Sequence, residues 1–240
     1  MTRFIGALPK IITIIIIAAV LIGQWRAGYF RRIAAYAGAV GRKFYLRGIL
    51  IPVVPLLACI MLLDPALMSA ARSWQHPVAA FLGSFGGMLG RNIHPWMFLA
   101  FLYCAGLLAR RKALSNAAFG ACLSAVLAAA LSFALKFLFL RARPYGDFGH
   151  LSFFNFDGVL KDARVYQSFT SGDVAIVAAI AFFLFKVNAH FSRWFLILLP
   201  LCTAFARVYA NKHWPSDVFL AVWVGLCSAS FIYHYEKDPA

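Results

Sequence analysis

Acidic residues are scarce in this chain: eight Asp and Glu among 240 residues, with only 13% of positions charged at all. Average soluble domains are about 25% charged and about 45–50% apolar, whereas apolar residues make up 63% here. A soluble fold has no way to hide that much apolar surface, so the composition excludes an ordinary water-soluble enzyme and points to the bilayer as solvent. Paired cysteines are also missing. Cys59, Cys104, Cys122, Cys202 and Cys227 all lie inside apolar runs and none belongs to a CxxC pair. That excludes a disulfide framework and a cysteine metal site, and leaves them as small buried hydrophobes. No nucleic-acid motif, internal repeat or low-complexity segment is present, and the net charge of +15 has a simpler source than a nucleic-acid partner.

That source is the loops. Apolar runs near the roughly 20 residues that cross a membrane lie at about 5–24, 48–64, 95–109, 115–140, 172–188, 192–208 and 216–234. Lys and Arg gather between them. Residues 25–47 hold Arg26, Arg31, Arg32, Arg42, Lys43 and Arg47; Arg110, Arg111 and Lys112 follow one run; Lys186 and Arg193 flank another turn. If the runs alternate across the membrane, these three connections share a side, and the positive-inside rule makes it cytoplasmic. The N-terminal run has basic residues before it but bulky Gln24-Trp25-Arg26 after it, which favours a retained membrane segment over a cleaved signal peptide. The expected organisation is an N-terminal membrane segment and basic cytoplasmic linker over 1–47, then a membrane domain over 48–240. The stretch 65–94, with "GSFGGMLG" at 83–90, either lies along the interface or packs closely on a neighbour through its small residues.

The opposite side collects Asp147, Asp157, Asp162, Asp173 and Asp217, together with His150 and His213. Ionisable groups concentrated at one membrane face mark a site. In "KFLFLRARP", Lys136 sits in an apolar helix where a cation needs a partner. Arg143 is seven residues on, about two turns, and faces the same way. Arg141 falls about 140° round the helix and is left as a flank. Pro144 disfavours helix at Arg143. In "RVYANKHWPSD", Pro215 suits the first turn of a new helix, and His213 and Asp217 are one turn apart. A carboxylate that holds one imidazole nitrogen leaves the other free to attack. Lys136, Arg143 and Arg207 would repel a metal dication and suit a multiply charged oxyanion. In "QSFTSGDVA", a helix N-terminus at Ser171 and Gly172 offers free N–H groups to an anion. The target these features describe is a phosphate on a lipid, with the bilayer as the second partner and no metal or other cofactor.

These three stretches together resemble the type-2 phosphatidic acid phosphatase superfamily of membrane lipid phosphatases. The first motif of that family is Lys, six residues, Arg-Pro, matched by Lys136 to Arg143-Pro144. The second is Pro-Ser-Gly-His, here Thr170-Ser171-Gly172-Asp173. The third is Ser-Arg, five residues, His, three residues, Asp, here Ala206-Arg207, His213 and Asp217. The resemblance implies an all-α polytopic membrane bundle, with a six-helix phosphatase core and segment 5–24 added to it. It implies that His213 attacks phosphorus to form a phosphohistidine, oriented by Asp217. Lys136, Arg143, Ser171, Gly172 and Arg207 would hold the phosphoryl oxygens, without a metal, at the periplasmic face of a bacterial inner membrane. The candidate substrates are undecaprenyl diphosphate, phosphatidylglycerophosphate, phosphatidic acid and the lipid A phosphates.

Asp173 breaks the pattern, because the family's His there protonates the leaving group. Three readings stand open: a helix cap paired with Thr170 at capping-box spacing, a catalytic acid kept protonated, or a repurposed site. His150 is a candidate substitute acid. Two other functions compete with hydrolysis: phosphoryl transfer from His213 to a second lipid, and binding of a lipid phosphate without turnover.

Overall fold

Among the described residues the chain is helical throughout, with no strand; the computed structural model describes residue 18 and residues 28–39, 50–74, 76–91, 93–187 and 192–237. Helices are what lipid permits, since every backbone N–H and C=O can then be satisfied within one segment. Helix α1 covers Tyr29–Ala39, α2 Val53–Ser73, α3 Pro77–Gly90, α4 His94–Leu108 and α5 Lys112–Phe139. The short α6 covers Phe156–Lys161, and α7 Gly172–Lys186, α8 Arg193–Tyr209 and α9 Pro215–Lys237 complete the bundle. The expected segment 5–24 and most of the basic stretch 25–47 lie outside the described residues. The other expected runs coincide with α2, α4, α5, α7, α8 and α9 to within a few residues, except that α2 runs on to Ser73. By length and apolarity, Val53–Ser73, Lys112–Gly146 and Pro215–Lys237 are each able to cross a membrane.

Side-chain contacts fix the directions of the helices. A Cβ added to Gly120, early in α5, would run into the Phe183 ring near the end of α7 and lie 2.7 Å from Glu236 near the end of α9. At the other end, Lys136 of α5 lies beside Gly172, the first residue of α7. Helix α5 is therefore antiparallel to α7 and α9. The turn between α4 and α5 and the connection between α7 and α8 fall at the Gly120 end. So does α1, whose Tyr36 ring packs on Tyr235 at 5.4 Å. Arg31, Arg32, Arg110, Arg111, Lys112, Lys186 and Arg193 thus flank one end of the bundle, and Lys136, Asp173 and Asp217 mark the other.

The stretch 65–94 resolves in favour of close packing. Its α3 lies directly on α8: a Cβ on Gly86 would overlap the Cys202 carbonyl, and one on Gly90 would sit 2.7 Å from Thr203 Cγ2 and 3.1 Å from Asp173 Cβ. Glycine is required at both positions for the two backbones to come this close. Helix α3 starts at the Lys136 end, and Gly106 of α4 packs on Ser115 at the opposite end. Together the two helices run from one end of the bundle to the other, beside α2, α5, α7, α8 and α9. Phe183, Leu184, Ala121 and Ala125 lie at its centre, almost fully buried. The outer face of α2 stays uncovered, with Val54 75% and Leu62 69% exposed, as befits a helix solvated by acyl chains. All five cysteines are free and at least partly buried.

Candidate active site

The first motif leaves its helix earlier than the wheel count assumes. Leu140 takes a left-handed conformation, φ 40° and ψ 47°, and donates its N–H back to the Lys136 carbonyl as α5 ends. Residues 141–143 then run extended. Ala142 donates to the Ser152 carbonyl, Arg143 donates to the Val165 carbonyl, and the Arg141 carbonyl accepts from Ser168 N–H. Arg143 has ψ 152°, the geometry that the following proline imposes. Lys136 and Arg143 do reach the same site, but through this turn rather than along one helical face.

Arg141 is no flank. The helical count fails for it because the helix is already over, and its side chain is wholly buried at the centre of the site's support. Nη1 donates to Asp217 Oδ1 and Ser216 Oγ, both at 2.7 Å, and Nη2 to Asp64 Oδ2 at 2.6 Å. Nη2 also reaches the His150 carbonyl at 2.6 Å. The guanidinium lies over the Phe153 ring at 4.7 Å and the Trp214 ring at 5.2 Å. Asp64 closes the circuit by accepting from Ser216 N–H at 2.8 Å and Ser216 Oγ at 2.6 Å. The π-turn Cys59–Leu63 in α2 immediately precedes Asp64, which is fully buried. One cation thus ties α2, the end of α5, the loop at 150 and the start of α9 together. Removing one partner from such a buried pair costs about 3–5 kcal/mol.

This support holds Asp217, and Asp217 holds the turn that carries His213. Asp217 Oδ2 accepts from Ser168 Oγ at 2.5 Å and from Trp214 N–H at 2.9 Å. The imidazole itself is bonded elsewhere: His213 Nδ1 lies 2.8 Å from the Ser168 backbone carbonyl and 3.7 Å from Asp217 Oδ2. The four-residue spacing does bring carboxylate and ring together, but 3.7 Å exceeds hydrogen-bond length. A carbonyl only accepts, so Nδ1 carries the hydrogen and Nε2 keeps its lone pair. Burial pushes the His213 pKa below the ordinary imidazole value, and the charges on Arg143 and Lys136 add to this against the opposing pull of Asp217.

Around this ring lie the other expected residues. Lys136 is within electrostatic reach of Arg143, Asp173, Asp217 and Arg207. A Cβ on Gly172 would sit 3.6 Å from Lys136 Nζ, an ordinary contact, so the protein's own packing does not demand glycine there. Four buried polar atoms on these segments lack any hydrogen-bond partner: Arg143 Nε, Arg207 Nε, Thr170 Oγ1 and Ser171 Oγ. Such atoms are costly unless something pairs with them, and all four can donate. Residues of type His, Cys, Asp and Glu in metal-binding groups are absent among the described residues.

Asp173 pairs with Arg207, carboxylate to Nη2. The capping reading does not hold: α7 begins at Gly172 with Ser171 as its N-cap residue, no side-chain cap bond forms, and Thr170 Oγ1 is unpaired. The His150 ring packs on Trp214 at 6.3 Å, beside a cavity of about 550 Å³, and among the described residues no side-chain hydrogen bond joins it to His213 or Asp173.

Residues 117–239, just over half of the chain, match the family model of the PAP2 superfamily. The chain belongs to the PAP2 superfamily. The PAP2 match contains all three motif stretches from Lys136 to Asp217, while Asp64 and α1–α4 precede it. The crystal structure of LpxE from Aquifex aeolicus has a similar fold, with a TM-score of 0.54 at 23% identity, covering 72% of this chain and 96% of that one. No curated protein matches the sequence.

Asp64, Ser168, Ser216 and the true place of Arg141 escaped the reading of this PAP2 chain from its sequence. Asp64 had a signal: an acid next to an apolar run needs a buried partner by the same rule that singled out Lys136. Ser168 and Ser216 had none, being small polar residues of a kind found in any loop.

Proposed function

We propose that this chain is an integral membrane phosphatase that removes phosphate from a lipid monoester or diphosphate through a phosphohistidine on His213. The carrying observation is four unpartnered buried donors on the three motif segments, on Arg143, Arg207, Thr170 and Ser171, together with a histidine whose Nδ1 is already bonded. A phosphoryl group has three outer oxygens to meet such donors. Lys136 adds charge, and Nε2 is left free for attack.

In this mechanism the Nε2 lone pair forms a bond to phosphorus as the bond to the leaving oxygen breaks; that oxygen keeps the electron pair and departs as a phosphate anion from a diphosphate, or takes a proton from water when the substrate is a monoester. Charge spreads over the phosphoryl oxygens in the transition state, and donors already in position stabilise it without reorganising. The Nδ1–H to Ser168 carbonyl bond fixes the tautomer and steadies the imidazolium that forms, and Asp217, held by Arg141, keeps that carbonyl and the His213 turn in register. Water then attacks the phosphohistidine and frees the ring. Three cations stand where a catalytic dication would need to be, which favours a metal-independent reaction. The basic end of the bundle lies opposite the site, and by the positive-inside rule this supports a cytoplasmic position for that end and a periplasmic one for the site, in an inner membrane.

The test is purified protein with short-pulse labelling by a [32P]lipid phosphate. An acid-labile, base-stable phosphoenzyme should form, and His213→Ala should lose both it and phosphate release. Full release of phosphate by His213→Ala would overturn the proposal.

A further inference from the structure

Asp173 stands at the motif position where the resemblance expects a proton-donating His, and it is ion-paired to Arg207. A carboxylate in such a pair accepts and does not donate. His213 is the nucleophile, and the His150 ring packs on Trp214 with no side-chain hydrogen bond to Asp173 or His213 among the described residues. The remaining donors, Lys136, Arg143 and Arg207, are cations suited to holding phosphoryl oxygens. Gly90 packs against Asp173 and Thr203, and the Asp173 side chain stays 28% exposed.

Resting on the phosphatase reading above, we infer that this site is selective for leaving groups that need no proton: it cleaves the phosphoanhydride of a lipid diphosphate in preference to the alkyl ester of a lipid monophosphate. An alkoxide is strongly basic and leaves only if protonated as the bond breaks. A lipid phosphate has a second pKa of about 6 and leaves as a stable anion. The balance needs no general acid. Nε2 of neutral His213 bonds to the terminal phosphorus, the bridging P–O bond breaks, and its electron pair stays on the bridging oxygen of the departing lipid phosphate. Water then bonds to phosphorus, the N–P pair returns to Nε2, and both water hydrogens leave with the product as dihydrogen phosphate. Asp173 meanwhile offsets one of the three cations.

The experiment compares dioleoylglycerol diphosphate with dioleoylglycerol phosphate in the same detergent micelles, following kcat/KM for phosphate release by the full chain. The wild type should favour the diphosphate by about 10²–10⁴-fold, the size of a general acid's contribution. Asp173→His should raise the monophosphate rate far more than the diphosphate rate, narrowing that ratio at least tenfold. Equal wild-type rates on the two lipids would overturn the selectivity and leave the phosphatase reading intact. A loss of monophosphate activity in Asp173→Asn would also overturn it, by making Asp173 the acid. Release from neither lipid by wild type and Asp173→His alike would sink the phosphatase reading and the selectivity with it.

Discussion

Arg141 and Asp64, 77 positions apart in the sequence, meet in a wholly buried ion pair with Nη2 and Oδ2 2.6 Å apart. The same guanidinium grips Asp217, so a helix outside the family match supports the residue that supports the nucleophile's turn. Asp64→Ala leaves Arg141 paired to Asp217 alone and strips Ser216 N–H and Oγ of their acceptor, and should destabilise the fold by about 1–3 kcal/mol for each buried donor left unpaired. Thermal unfolding in detergent is the measurement, and an unchanged midpoint would refute the structural role. Arg141→Lys should rescue little, because a single ammonium lacks the fork that spans two carboxylates.

The Ser168 carbonyl, not Asp217, accepts from His213 Nδ1, and Asp217 acts through Ser168 and Trp214. Asp217→Asn puts an amide NH2 where one of these acceptors stood. Its effect should fall mainly on kcat, by about 10²-fold or more, with a small change in KM. Ser168→Ala removes one hydrogen bond to a charged group, worth about 1.5–3 kcal/mol, while keeping the carbonyl. It should be the milder of the two. Steady-state kinetics showing Ser168→Ala as damaging as Asp217→Asn would count against this division of labour.

The His213 pKa is lowered from 6.5, chiefly by burial, and the attacking form is neutral. A lowered value keeps the ring neutral to more acidic pH. The acid limb of kcat/KM should therefore lie below pH 6.5, with activity lost only as Nε2 takes up a proton beneath that point. A titration midpoint above 6.5, tracked on a substrate whose own ionisation is corrected for, would contradict the buried environment described.

Freeing Arg207 should strengthen oxyanion binding. Asp173→Asn removes the carboxylate that competes for Nη2, and orthovanadate should inhibit this variant roughly tenfold more tightly, a difference of about 1.4 kcal/mol. Equal inhibition constants for variant and wild type would show that Arg207 is not part of the phosphate cradle.

At the α3–α8 crossing, Gly86→Val places a branched side chain on the Cys202 carbonyl. Forcing the helices apart should cost about 1–3 kcal/mol and shift Thr203 and Arg207 with them. Both the unfolding midpoint and phosphate release should fall; a fully stable, fully active variant would argue against the close crossing.

Much of this site was legible because apolar surroundings make ionisable groups conspicuous. Lys136 and Arg207 stand out inside apolar runs, and Arg143, His213 and Asp217 stand out beside them; lipid tolerates such groups only with partners. Arg141 was misplaced for a physical reason: a helical wheel has no meaning past the residue where the helix stops, and the left-handed Leu140 leaves no mark in a run of Leu and Phe. The partner of Asp173 was equally invisible, since capping-box spacing looks the same whether or not an arginine from another helix claims the carboxylate.

The amino-acid sequence alone determined the solvent, the helical segments, the basic end and the cast of ionisable residues, because hydropathy and charge act locally along the chain. Only the tertiary structure decided the pairings: Arg141 with Asp64 and Asp217, His213 with the Ser168 carbonyl, and Asp173 with Arg207. Each joins segments separated by dozens of residues, and a hydrogen bond depends on fractions of an ångström that no spacing rule transmits.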